Sequence, residues 1–141
     1  MGRIATAALG LIVLIATSCG NSAAPAAPAP ELIAFVMVQD AGTGGAVEIS
    51  APDQIDRLAP GPAAAIDSAR TAVTQHARPD VRIFAFVRPG CQNDGATIAL
   101  GSKQITATLT GGEDTACVVA EWYLAVFAVP AQLVPPGASV G

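Results

Sequence analysis

Two stretches of this chain are apolar at nearly every position over the length of a strand: VRIFAFVR at residues 81–88 and ACVVAEWYLAVFAV at residues 116–129. Successive side chains of a strand point to opposite faces, so an unbroken apolar run puts apolar groups on both faces. The first run carries the signature of a central strand, and the second reads as the longest strand of the chain. ELIAFVMVQ at residues 31–39 is a third run of this kind, rich enough to be covered on both faces. After the turn DAGTGG, AVEIS reads as a short strand returning in a hairpin. ATIAL and QITATLT flank GSK as a second hairpin, whose later arm turns Ile105, Ala107 and Leu109 one way and its threonines the other, toward water. SAPDQIDRL carries a helix start, with Ser50 as cap and Pro52 in the first turn, stopped at Pro60. Between Pro62 and Pro79, Ile66, Ala69 and Val73 share one face of an amphipathic helix, with Arg70 and Gln75 off it. A short edge strand closes the proline-punctuated tail. The expected fold is α+β and β-dominated: a small antiparallel sheet or sandwich with one inserted helix (about 62–77) and one disulfide.

The first thirty residues read differently. Arg3 supplies a positive start, and residues 4–16 form an apolar run broken only by Thr6 and Gly10. That run is shorter than the roughly 20 residues a membrane-spanning helix needs, and it ends in small residues, which describes a secretory signal peptide. MGRIAT also fits an N-myristoylation pattern at Gly2, but such a protein needs no apolar run directly afterwards. ATSC at residues 16–19 resembles the lipobox of bacterial lipoproteins, with Ala16 where that family holds Leu, Val or Ile. The resemblance implies cleavage before Cys19 and a diacylglycerol on its sulfur, hence a membrane partner held through lipid. Two acyl chains make a stable anchor where one is marginal. GNSAAPAAPAP then reads as a tether, since repeated prolines favour polyproline II at about 3.1 Å per residue. The expected organisation is signal peptide 1–18, lipidated Cys19 and tether 19–30, and a single β-rich extracytoplasmic domain 31–141. The expected location is the extracytoplasmic face of the cell membrane.

Net charge is −4, and loss of a leader whose only charge is Arg3 takes it to −5. With no basic run, the chain is a poor partner for nucleic acid or for anionic membrane surfaces. Of three cysteines, lipidation of Cys19 leaves Cys91 and Cys117, the right number for one disulfide in an exported protein. Each lies near a strand end, with a hairpin between them. A metal site lacks ligands, because His76 is the only histidine.

Catalytic motifs are missing: there is no G-x-S-x-G, H-E-x-x-H, P-loop or S-x-x-K. GTGG at residues 42–45 lies in a turn rather than between strand and helix. His76 falls at a helix C-terminus, where it suits the dipole. Asp94 and Asn93 lack the further oxygen ligands that calcium takes. Glu121 faces solvent or pairs with an arginine such as Arg82 or Arg88; buried with a raised pKa, it becomes a site candidate. Trp122 and Tyr123 point to opposite faces of their strand, one into the core and the other either half-buried on the sheet or available for contact.

The segments GCQNDG, LTGGEDTAC and LAVFAVPAQLVPPG, together with the leader, tether and paired cysteines, resemble small secreted lipoproteins of actinobacteria. Those motifs are turns, cysteines and strand ends, which specify a fold better than an activity. The expected function is non-catalytic binding or modulation at the cell envelope, with another envelope protein or a small ligand as partner and no cofactor. The expected binding surface comprises Trp122, Tyr123, Gln92, Asn93 and Asp94. The alternatives are a lipid or small-ligand carrier with an apolar cavity, and an enzyme built on carboxylates.

Overall fold

The computed structural model describes residues 26–39, 44–112 and 116–141. The signal peptide, Cys19, all of the tether before Ala26 and the turn residues 40–43 lie outside the described residues. Residues 26–30 carry no regular structure and lead into β1 (Glu31–Val38). There follow β2 (Gly45–Ile49), α1 (Gln54–Leu58), α2 (Ala63–His76), β3 (Val81–Gly90), β4 (Gly95–Leu100), β5 (Gln104–Thr110), β6 (Glu121–Pro130), a 3-10 turn (Ala131–Leu133) and β7 (Ser139–Val140). Four strands form an antiparallel sheet in the order β1-β6-β3-β2, and three form a second sheet in the order β4-β5-β7, with β7 parallel to β5.

The layers explain the apolar runs. The four-stranded sheet lies between the helices and the smaller sheet, so its two central strands are covered on both faces. On the helix side, Ile83, Ala85, Val87, Leu124 and Val126 pack with Ile55, Ile66, Ala69 and Val73 of α1 and α2. On the other side, Phe84, Phe86, Ala125, Phe127 and Val129 pack with Ala96, Ile105 and Val134. Alternate residues of β3 and β6 thus feed two cores. The helix face formed by Ile66, Ala69 and Val73 is buried as the spacing predicts.

Charges close the margins. Arg82 donates from Nε and Nη2 to the two carboxylate oxygens of Glu48, at 2.7 and 2.6 Å. This two-point hydrogen bonding holds the Glu48 carboxyl below its ordinary pKa, with slight desolvation working against it. The same guanidinium sits 5.4 Å from the centre of the Phe84 ring, and Arg88 sits 5.7 Å from that of Phe86.

Three expectations are corrected. β1 and β2 do not pair as a hairpin: they stand at opposite edges of the sheet, with β6 and β3 between them. Glycine-rich sequence predicts a reversal, but apolar cover selects the central positions, and β3 and β6 offer more of it. The last long strand begins at Glu121 rather than residue 116, because Cys117 is bonded to Cys91 and its neighbours are held off the sheet. Ser50 does not cap α1 with its side chain. Gln54 reaches back instead, and its Oε1 accepts from Ser50 N at 2.6 Å, Ser50 Oγ at 3.1 Å and Ala51 N at 3.0 Å. The longer amide spans the turn that proline fixes.

Candidate functional site

Where β3 ends and β6 begins, Gly90 stands opposite Glu121. β5 ends beside them, and Asp94 N–H donates to the Thr110 carbonyl at 3.1 Å. The Cys91–Cys117 disulfide joins the β3–β4 loop to the segment before β6, with Cα atoms 5.8 Å apart, an ordinary separation for a bridge.

Asn93 fastens this end. Its Oδ1 accepts from Cys91 N–H at 2.7 Å, and its Nδ2 donates to the carbonyls of Thr110, at 3.3 Å, and Gly111. Its backbone N–H donates to Tyr123 Oη at 3.2 Å. A residue this committed to local backbone is a fastener rather than a contact. Gly111 and Gly112 have φ of +73° and +72°, and a methyl group on Gly112 runs into the Cys91 carbonyl. Only glycine admits both the left-handed turn and that approach.

Glu121 Oε2 accepts from the Tyr123 hydroxyl and, at 3.0 Å, from Gln92 N–H. The Tyr123 hydroxyl, then the Gln92 amide, hold the Glu121 carboxyl below its usual value. Burial pushes the Tyr123 hydroxyl up, and the carboxylate beside it adds to the effect. With a lowered folded pKa, the Glu121 contribution is complete above its ordinary value of 4.5 and disappears as pH falls through the folded value. With a raised one, the Tyr123 contribution is complete below 10.0 and disappears as pH rises through the folded value. The clamp therefore holds across the neutral range. An acid titration followed by NMR is expected to move the Gln92 amide proton with a midpoint below 4.5, and Glu121→Gln to abolish that movement. A midpoint above 4.5 contradicts the clamp.

The clamp fixes an uncommon backbone. Gln92 has φ of +51°, the one non-glycine left-handed residue among the described residues, and it is exposed. Such strain persists where surrounding bonds over-determine it, and it concentrates at functional positions. Beside it in space, past the disulfide, Val118 and Val119 are 102% and 77% exposed. No family model, curated protein or solved structure matches the chain. The chemistry of this end rests on its own residues.

Of the residues expected to form the surface, Gln92, Asn93, Asp94 and Tyr123 come together here. Asn93 and Tyr123 turn inward as fasteners, and the Tyr123 ring stacks on Phe35 at 5.1 Å. Trp122 is half-buried and packs on the helix side of the sheet, so it lies on the face opposite Tyr123. Glu121 pairs with neither arginine: Arg82 is taken by Glu48, and the Glu121 carboxylate turns to Gln92 and Tyr123. His76 sits at the other end of β1, its Nδ1 2.8 Å from the Ala72 carbonyl and its Nε2 3.9 Å from Glu31. The exposed Val118-Val119 pair escaped the sequence reading because its apolar run leads into β6 with only Glu121 interrupting it. The signal available was Cys117 itself, which ties the start of that run to a loop.

Among the described residues no three His, Cys, Asp or Glu side chains gather in a way that holds a metal. Among the described residues, open clefts of about 270 to 620 Å³ lie along α1, α2, β2 and the start of β3.

Proposed function

We propose that this is a lipid-anchored extracytoplasmic protein with a non-catalytic binding or modulating role at the cell envelope, exerted through the disulfide-linked end of the sandwich. One observation carries the reading: Gln92, Val118 and Val119 are exposed on backbone that a disulfide and the Asn93 and Glu121 hydrogen bonds hold in place. A surface already ordered loses little conformational freedom on binding, and apolar side chains left in water gain by being covered. The partner is another envelope protein or a small ligand.

The tether supports this placement. It enters β1 at Glu31, opposite Ala128, whereas the binding end lies beyond the Val38–Trp122 pair. Eight strand residues separate the two ends by about 24 Å at about 3.4 Å per residue, so the tether joins its own domain away from the site. A diacyl anchor raises the effective concentration of the site near other membrane-held proteins. The interior between the sheets, filled by Phe84, Phe86, Phe127, Ile105 and Val129, favours a surface binder over a carrier. The lowered pKa of Glu121 suits a clamp better than the raised one a general acid uses.

Site-directed photo-crosslinking in intact cells tests both halves of the reading. A photoreactive residue at Val119 is expected to give a discrete adduct, and one at Thr97 on β4 none. Val118→Asp is expected to remove the adduct without unfolding the domain. Cys19→Ala is expected to leave the protein unacylated, retained as precursor or released. Equal labelling from both positions sinks the binding half, and cleaved Cys19→Ala still fractionating with membranes sinks the anchor half.

A further inference from the structure

Among the described residues, the β1 edge of the larger sheet is open. β1 pairs only with β6, and outside that ladder no backbone hydrogen bond among the described residues reaches residues 31–38. The edge first closes at Gln39, whose N–H donates to the Pro60 carbonyl at 2.9 Å. Exposed edges are ordinarily blunted by lysine, proline, inward charge or a bulge. β1 has no lysine, arginine or proline, and its one charge, Glu31, lies at its far end. Its only such device is a bulge between Leu32 and Ala34. The regular, unpaired part of the edge is therefore residues 34–38, bounded by Ile33 on one side and Gln39 on the other.

Within that window every side chain is apolar. Ala34, Val36 and Val38 belong to the helix-side core, and Phe35 to the core between the sheets. Met37 shares the face of Phe35 by alternation, yet it is 56% exposed, and among the described residues no other large apolar side chain within a strand is so open.

We propose that β1 pairs antiparallel with β1 of a second copy of this chain, about a two-fold axis at Val36, joining two four-stranded sheets into one of eight. This register sets Val36 against Val36, Ala34 against Val38 and Phe35 against Met37, so the exposed Met37 is covered by an aromatic ring of the other copy. It also sets the bulge at Ile33 against the closed Gln39, so the two places where pairing must stop coincide on both strands. Residues directly opposite share a face, and here apolar meets apolar throughout. The two Glu31 carboxylates lie at opposite ends of the paired strands and do not meet. An isologous interface needs this kind of self-complementarity. Pro25, Pro28 and Pro30 have no N–H to give to a ladder, which makes the tether a poorer partner for this edge than a second β1.

Sedimentation equilibrium on the full chain carrying Cys19→Ser, in a neutral detergent, tests the proposal. The expected mass is twice 14.0 kDa, with Met37→Lys weakening the dimer by about tenfold or more. Met37 is exposed, so its replacement leaves the fold in place. A second variant, Val36→Cys, places two thiols on the axis, where facing Cα atoms lie about 4.5–5.5 Å apart, within reach of a disulfide. Mild oxidation is expected to cross-link it, and not Thr97→Cys. A monomer at every concentration up to about 1 mM, a dimer untouched by Met37→Lys, or cross-linking at Thr97 equal to that at Val36 each overturns the proposal.

Discussion

Phe84→Ala is expected to lower the free energy of unfolding by about 3–5 kcal/mol, a large part of the roughly 5–15 kcal/mol that holds an ordinary domain together. Phe84 is fully buried at the centre of β3, opposite Phe127, and packs between the two sheets. Its ring meets neighbours from β6 and from the smaller sheet, so truncation removes contacts on both sides and leaves a void that packed sheets close only in part. The Arg82 guanidinium also loses the ring beside it. Urea denaturation checks the size of the effect, with Thr97→Ala, on an exposed position of β4, expected within about 0.5 kcal/mol of the parent. The same pair of proteins tests the carrier alternative. A benzene-sized apolar solute is expected to stabilise the Phe84→Ala variant and not the parent, because an apolar void binds such a solute and a filled interior has no room for it. Stabilisation of the parent points to a cavity and to the carrier reading.

The sequence was most readable where one residue class decides the outcome. The apolar run of β3 marked a central strand and that of β6 a long one, because apolar groups on both faces need cover on both sides of the sheet. The three-residue spacing of α2 and the count of two cysteines worked in the same way. Pairing was less readable. The apolar run of β1 packs on both faces and still lies at an edge, since hydrophobicity reports cover above and below a strand but not beside it. The glycine turn after β1 likewise marks a reversal without naming the strand that will be met. The candidate site was legible in part, through Gln92, Asn93, Asp94 and Tyr123, but their division of labour was not. Whether an amide fastens a loop or faces a partner depends on where Thr110, Gly111 and Tyr123 come to rest, from 17 to 30 positions away. The left-handed conformation of Gln92 was hidden for a similar reason. Asp94-Gly95 is the stronger turn signal, and the strain falls on Gln92 only because Glu121 and the disulfide fix the loop on either side.

Cys91→Ala is expected to cost about 2–5 kcal/mol, and a chain-entropy estimate for a closed loop of this length gives about 3.5 kcal/mol. The bridge spans 26 positions and encloses the β4–β5 hairpin, which packs on the larger sheet with or without it. The loss should therefore appear mainly as a less constrained unfolded chain, with the native sheets retained. Cys117→Ala removes the same cross-link and is expected to cost a similar amount, and the double variant little more than either one. Two residues that act only through a shared bond do not add. Chemical denaturation of all three variants measures this. A double variant equal to the sum of the singles shows that each cysteine stabilises separately. Local consequences differ from global ones. Without the bridge, Asn93 and Glu121 still hold Gln92, but nothing ties Cys117 to the β3–β4 loop, and the two valines after it lose their fixed position. The cross-linking expected from Val119 should then weaken under conditions where the domain is still folded, which separates the part the disulfide plays in stability from its part in presenting the binding surface.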